Sequence, residues 1–379
     1  MTAPAIAPVI ALDVTPLIGV RTGIGNAVAS TLGSLRSRGD VGVLPYALSF
    51  RARGRRRELP AGTVIPPFPA RVARFAWAHG DRPRIDRWIA GAEILHATNY
   101  LTPPSLLPTV VTLNDCAFVR YPELATPELR ALEPIVRRAI DRGAVVHTPS
   151  RFVAEEVDEI FGPGLLRAGR IHAIPYGVPP IVHGATLSAA IAARVGSGPF
   201  VLSLGMLEPR KNLPHLVAAF GGLALRRGDL RLVLAGPDGP GAPAVADAIG
   251  RLDPSVATRV IVAGAVDDND RSALLERAAV LAYPSISEGF GFPVLEAMVA
   301  STPVVAGRAG SIPEIAADAA LLVEPTDEEA LAAAIENALD PSIAAELVAL
   351  GHVRAARYDW NTTAARLVEL YRSMSGSAR

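Results

Sequence analysis

The chain has 379 residues, half of them apolar, with 37 basic and 37 acidic side chains and a single cysteine, Cys116. That length exceeds one ordinary core and calls for two domains, while the zero net charge excludes a general nucleic-acid binder, which needs a strongly basic field. One cysteine excludes a disulfide framework or a cysteine-based zinc site and points to a reducing cytoplasm.

The N-terminal stretch MTAPAIAPVIALDV lacks a basic region and meets Asp13 early, so no signal peptide is expected. APVIALDV reads as a strand, TPLIGVRTGIG as a loop and NAVASTLGSLRSRG as a helix. Residues 51–87 then carry ten arginines against Glu58, Asp81 and Asp86, five of the arginines in RARGRRR. This segment is either a solvated loop or a contact for anionic lipid, with Trp77 and Trp88 as supporting or as core residues. AEILHATN and TVVTLND are short apolar runs that end in polar residues, and RRAIDRG, AVVHTPS and RFVAEEVDEIFG continue the alternation of helix and strand. Such alternation is the sequence form of a parallel sheet covered by helices.

IPYGVPPIVHGATLSAAIAARVGSG, rich in glycine, proline and small residues, reads as an interdomain connection with one short helix. A second series follows: FVLSLG, LPHLVAAFGGLALRRG, LRLVLAG, RVIVAG, DRSALLERA, AVLAYPS, TPVVAG, AALLVEP and DEEALAAAIENAL. NTTAARLVELYRSM closes the chain with apolar residues at helical spacing. The sequence therefore reads as two doubly wound α/β domains, 1–185 and 186–355, with a C-terminal segment 356–379. No charge-free apolar run reaches the roughly 18 to 20 residues of a membrane span, so the protein is expected in the cytoplasm, at most peripheral at a membrane.

In open α/β sheets, ligands bind outside the carboxyl ends of the strands. The loop LSLGMLEPRKNLPHL places Gly205, Arg210 and Lys211 between a strand and a helix, and Lys211 is the chain's one lysine. Two cations at a helix start could simply be solvated, but the macrodipole disfavours them there. A bound anion would compensate them, cradled with the free backbone N–H groups. The arginine fork and the compact lysine charge together suit a diphosphate.

A second loop, SEGFGFPVLEAM, sets Glu288 and Glu296 eight positions apart. Gly289 and Gly291 admit close approach of backbone amides to a ligand. Pro293 suits the first turn of a helix, with Glu296 expected in that turn and Glu288 on the loop before it. The dipole alone would favour such carboxylates by about 0.3 to 1 kcal/mol each. It does not explain why two glycines, two phenylalanines and a proline separate them.

SEGFGFPVLEAM matches the E-x7-E signature, and the chain resembles the retaining GT-B glycosyltransferases of family 4 (glycosyl transferases group 1). The resemblance extends through GMLEPRKNLPHLVAAF, GAVDDNDRSALLERAAVLAYPS, TPVVAGRAGSIPEIAADAALLVEPTD and YDWNTTAARLVELY. In the first domain it touches LDVTPLIGVRTGIGNAV, HATNYLTPP and LNDCAFVRYPEL. It implies two Rossmann-like domains facing an interdomain cleft, the first binding an acceptor and the second a nucleotide-sugar donor. The C-terminal helix around Trp360 would cross back onto the first domain.

By the same resemblance, Glu296 would accept from the ribose hydroxyls and Glu288 would lie against the donor sugar near the reacting carbon. Amides around Gly291 and Phe292, with Gly289 and Phe290 beside them, would touch sugar or phosphate. Arg210 and Lys211 would neutralise the diphosphate, with Gly205, Gly23 and Gly25 approaching the donor closely. The reaction implied is transfer of a hexose, mannose-like or glucose-like, to a glycan or lipid-linked acceptor hydroxyl with retention. It would proceed without metal or other cofactor, in cell-envelope or exopolysaccharide synthesis. An oxocarbenium-like transition state gains from charge stabilisation on the departing phosphate. No protein nucleophile is evident.

Where many relatives read His-Asp, this chain has Asn114 and Asp115. Asparagine cannot titrate near neutrality, so the histidine was never the base, or Asp115 serves, or the protein binds sugars with poor turnover. His96 and His147, at the ends of their own strands, are expected to be structural. Ser301 stands where relatives often carry glycine. The pair Asp268 and Asp270 precedes a helix, and carboxylates at a helix start need no metal. A dehydrogenase is disfavoured because the glycines at 19, 23 and 25 have the wrong spacing for a dinucleotide fingerprint. A nucleotide-sugar epimerase on the same fold and a non-catalytic sugar-binding relative stay open.

Overall fold

The computed structural model describes residues 8–19, 23–49, 53–67, 69–123 and 125–376. The chain divides into two units, Met1–Pro179 with Tyr358–Arg379, and Pro180–Arg357. In the first, β1 (Val9–Asp13), β2 (Gly42–Tyr46), β3 (Ile94–Ala97), β4 (Thr109–Thr112), β5 (Val145–Thr148) and β6 (Ile171–Ala173) form a parallel sheet. Its strand order is β2-β1-β3-β4-β5-β6, so the chain reverses direction across the sheet between β1 and β3. The strands are short runs of valine, isoleucine and leucine because both faces of a parallel sheet are covered. The outermost strands β2 and β6 are not anticipated by the sequence reading. β2 contains Pro45, which an edge strand tolerates and a central one does not.

One face of this sheet packs on Trp77, Ile85, Ile89, Val136 and Val157. On the other, Ile10, Leu12, Val28 and Leu35 meet Leu367, Val368 and Tyr371 of the terminal helix Trp360–Gly376. That helix is pinned at its start, where Trp360 Nε1 donates to the Val178 carbonyl at 3.0 Å and Thr363 Oγ1 to that of Pro175 at 2.7 Å. Gly23 and Gly25, expected in the loop after β1, instead lie in the first turn of the helix Gly23–Arg36. The buried face of that helix begins at Gly25 and continues through Ala27, Val28, Thr31, Leu32 and Leu35, which carries the helix back further than the polar residues suggested.

In the basic segment, Arg51 lies outside the described residues and Arg53, Arg55, Arg56 and Arg57 are exposed. Trp77 is a core residue whose indole donates to the Pro83 carbonyl at 2.9 Å. Trp88 packs against the same core, with the Arg87 guanidinium 3.8 Å over its ring.

The second unit repeats the plan. Strands β7 (Phe200–Leu204), β8 (Arg231–Ala235), β9 (Val260–Gly264), β10 (Val280–Tyr283), β11 (Val304–Gly307) and β12 (Leu321–Val323) are parallel in the order β12-β11-β10-β7-β8-β9. Here the reversal falls between β7 and β10. Helices Leu213–Arg226, Asp268–Arg277, Phe292–Val299 and Glu328–Ala338 occur where the apolar spacing predicts them. Helices Ala242–Gly250 and Pro341–Ala355 do not follow from that spacing. The latter starts on an Asp340 cap with Pro341 at its first position, a start signal that its weakly segregated apolar face leaves isolated. Among the described residues, no helix is long and apolar enough to cross a membrane.

Candidate active site

In the second unit the reversal point brings two strand-to-helix loops side by side at the carboxyl ends of β7 and β10, the position where open α/β sheets bind ligands. After β7 the chain passes Gly205 and tightens into the turn Pro209–Lys211 before the helix Leu213–Arg226. The loop after β10 is tied to it by the Ile286 amide, which donates to the Arg210 carbonyl at 2.9 Å. Gly205 sits under the lysine: a Cβ there would lie 3.4 Å from Lys211 Cε.

Arg210, Lys211 and Glu288 form one cluster. Lys211 Nζ donates to Glu288 Oε1 at 2.6 Å and also to the Tyr283 hydroxyl. Arg210 Nη1 lies 3.0 Å from Glu288 Oε2, and its Nε donates to Glu208 Oε2 at 2.8 Å. Two cations thus meet two carboxylates within the protein. The loop sequence predicts an external anion compensating Arg210 and Lys211, and the family resemblance implies a sugar against Glu288. In this structure Glu288 itself is the counter-ion, because a carboxylate only 6% exposed needs one. Burial would raise the Glu288 pKa, but the neighbouring guanidinium and ammonium outweigh it and hold the group down at about 2. Burial pushes the Lys211 pKa down, against the pull of Glu288.

The rest of the loop serves shape. Gly291 caps the helix Phe292–Val299 with a φ of 93°, a left-handed conformation that favours glycine, and a Cβ there would meet Ile312 Cδ1 at 2.5 Å. Gly289 and Phe290 are buried, and the rings of Phe290 and Phe292 meet edge to face at 5.0 Å. The Glu288 carbonyl accepts from the Ser311 amide at 2.9 Å, while Ser311 Oγ is buried without a hydrogen bond among the described residues.

Glu296 is not in the first turn of its helix, as the spacing from Pro293 suggested, but one residue beyond it, because the helix begins at Phe292. It is 2% exposed and paired with a residue the sequence reading missed: Arg271 Nη1 donates to Glu296 Oε1 at 2.6 Å. Burial raises the Glu296 pKa, Arg271 opposes and Asp268 adds to the rise. A signal for Arg271 existed, since it is a cation in the first turn of the helix Asp268–Arg277, the same anomaly that singled out Arg210 and Lys211. The nearby acidic pair has local duties. Asp270 accepts from the Ser188 amide at 2.6 Å and its hydroxyl at 2.8 Å, and Asp268 is exposed.

In the first unit, Asn114 is buried with its Oδ1 accepting from the Tyr176 hydroxyl at 2.8 Å and its Nδ2 3.4 Å from Asn99 Oδ1. Asp115 accepts from the Ala117 amide at 3.1 Å. His96 and His147 are structural: they share Thr112 Oγ1 at 2.8 and 2.9 Å, with Tyr371 and the Ile174 carbonyl as their other partners. Burial pushes both imidazole pKa values down, that of His147 to about 4. At the ends of β1 and β2 lies a further buried pair, Asp13 and Tyr46, in register with each other. The Asp13 carboxylate takes both the amide (2.8 Å) and the hydroxyl (2.5 Å) of Thr15, yet burial still lifts its pKa to about 6.

Residues 188–347 match the family model of glycosyl transferases group 1, and residues 21–182 that of glycosyltransferase family 4. The chain belongs to the group 1 glycosyltransferases. This glycosyltransferase is 28% identical over 286 residues to the O-antigen chain mannosyltransferase B of Escherichia coli, covering 74% of each chain. It is 25% identical over 330 residues to the phosphatidyl-myo-inositol mannosyltransferase of Mycolicibacterium smegmatis, covering 83% of this chain and 81% of that one. Among solved structures it resembles sucrose-phosphate synthase from Thermosynechococcus elongatus, with a TM-score of 0.73 at 20% identity over 98% of this chain and 100% of that one. Anabaena HepE in complex with UDP-glucose gives 0.70 at 19% identity, over 96% and 99%. Its two six-stranded parallel sheets with flanking helices are the GT-B fold.

Proposed function

We propose that this glycosyltransferase moves a hexosyl group, mannosyl in preference, from a nucleoside-diphosphate sugar to an acceptor hydroxyl with retention of configuration. The observation that carries this is the Arg210–Lys211–Glu288 cluster at the reversal point of the second unit's sheet. The two cations would take the diphosphate as it leaves with the electrons of the C1–O bond. The oxocarbenium-like centre is then attacked on the same face by the acceptor oxygen, whose proton passes to a departing phosphate oxygen. Developing charge on the phosphate is met by groups already in place, which is the largest lever such a site has. No metal enters this scheme, because Arg210 and Lys211 supply the positive charge. Glu296 would accept from the ribose and the loop from Gly289 to Phe292 would border the sugar. Asn114 and Asp115 would serve the acceptor side.

Residues 186–355 would be the donor domain, 1–185 the acceptor domain and 356–379 a helix completing the latter. The similarity to O-antigen and phosphatidyl-inositol mannosyltransferases supports a role in polysaccharide or glycolipid synthesis. Contact with an anionic membrane is supported by the helix Ala70–His79, on which Val72 and Phe75 are 62% and 71% exposed beside Arg71 and Arg74.

The test is thermal stabilisation by UDP-, GDP- and ADP-sugars with EDTA present, repeated on Lys211→Ala and Glu296→Ala. A ligand at about 100 times its dissociation constant adds about 2.7 kcal/mol. One nucleotide should shift the melt without metal, and both substitutions should abolish the shift. Turnover with an acceptor then separates a transferase from a binder or an epimerase. No shift with any of them overturns the donor site.

A further inference from the structure

We propose that Arg271 is a specificity-determining residue that makes the donor site select a ribonucleoside over its 2′-deoxy form, acting through Glu296; this rests on the donor-site reading above. Glu296 is buried in the helix Phe292–Val299, where a carboxylate tends to take up a proton. The charged groups acting on it are Arg271 and Asp268, and only Arg271 favours the ionised form. Arg271 Nη1 occupies Oε1 at 2.6 Å, while Oε2 receives no hydrogen bond from the described residues. Glu296 is thus held as an acceptor with one oxygen available.

As the counter-ion of a buried carboxylate the arginine is unusually placed. It stands in the first turn of the helix Asp268–Arg277, where the dipole opposes a cation. A buried ion pair is also a weak source of stability compared with apolar side chains of similar size. Among the described residues its buried Nε finds no hydrogen-bond acceptor, with Asp268 Oδ1 standing 4.0 Å away, and a buried donor left unmet in a native protein calls for a ligand or water. A ribose oxygen next to Glu296 answers that need. An ionised carboxylate can accept from a vicinal diol and forms stronger hydrogen bonds than a neutral one. A site built to bond a hydroxyl discriminates against the analogue that lacks it, because its own polar group is then left unpaired.

The experiment is calorimetric titration of the full chain with whichever of UDP, GDP and ADP binds most tightly, and with its 2′-deoxy form. The native chain should prefer the ribonucleotide by about ten-fold or more. Arg271→Leu should bring the ratio to within about two-fold, and Arg271→Lys should keep most of it, which loss of packing alone would not produce. Glu296→Gln, which keeps the arginine, should collapse the ratio in the same way and stands in if Arg271→Leu fails to fold. A ratio unchanged in Arg271→Leu overturns the role of Arg271 while leaving the donor site intact, and one unchanged in Glu296→Gln overturns it together with the ribose contact of Glu296. If the native chain binds no nucleoside diphosphate, the donor-site reading fails, and the selectivity with it.

Discussion

Replacing Glu288 with glutamine removes one charge from the cluster and keeps its shape. The Glu288 carboxyl is held at about 2 in the folded chain against an ordinary value of 4.5, and each unit of difference is worth about 1.4 kcal/mol. Glu288→Gln should therefore destabilise the second unit by about 3 kcal/mol at pH 7. A folded value below the unfolded one gives stability that is present above 4.5 and lost as pH falls through about 2. At pH 3 the difference between variant and native chain should shrink to about half. Urea denaturation followed by far-UV circular dichroism at the two pH values measures both differences. Tryptophan fluorescence is a control, since Trp77, Trp88 and Trp360 all belong to the first unit. A variant as stable as the native chain at pH 7, or a penalty equal at pH 7 and pH 3, would refute the ion-pair account of this cluster.

Asp13→Asn should act with the opposite sign. Its folded pKa of about 6 lies above the ordinary 3.8, so its protonated form stabilises below 3.8 and that contribution is lost as pH rises through about 6. Asparagine can still accept both Thr15 hydrogen bonds, so the first unit should gain about 2 to 3 kcal/mol at pH 7.5 and little at pH 4 by fluorescence-monitored denaturation. His147, neutral and lowered from 6.5 to about 4, contributes stability above 6.5 that is lost as pH falls toward 4. The first unit's denaturation midpoint should drop across that window, and His147→Gln should flatten part of the drop. Gly310 has a φ of 59°, and a Cβ on it would lie 2.5 Å from the Glu288 carbonyl oxygen and 2.6 Å from its nitrogen. Gly310→Ala should retain its far-UV spectrum yet lose the thermal stabilisation by the donor nucleotide, because the Glu288 backbone must move.

Much of the fold can be read from the sequence wherever a strand is a continuous apolar run. β1, β3, β4 and β5 of the first sheet and all six strands of the second are of this kind, its edge strands β12 and β9 included. β2 and β6 escape because edge strands need neither length nor a continuous apolar run, and β2 carries a proline. Missing β2 also hides the partnership of Asp13 with Tyr46, which exists only through the β1–β2 register. Arg210, Lys211 and Glu288 are legible as residues, because cations at a helix start and glycines around a carboxylate need a reason. Their mutual pairing is not, since it depends on β7 and β10 lying side by side although they are far apart in the chain. The displacement of Glu296 from the first turn is a one-residue matter, set by the left-handed cap at Gly291.

The terminal helix Trp360–Gly376 gives this chain a particular history on the ribosome. The strands of the first sheet have all been made by Ala173, but Ile10, Leu12, Val28 and Leu35 wait for Leu367, Val368 and Tyr371. The whole of Pro180–Arg357 is synthesised in between. At roughly 5 to 20 residues per second that interval lasts about 10 to 40 s, during which a greasy sheet face must stay out of trouble. The second unit, contiguous in sequence, has no such delay. A nascent chain halted before residue 360 would thus carry one finished half and one open half, and the open half is where a chaperone would find its grip.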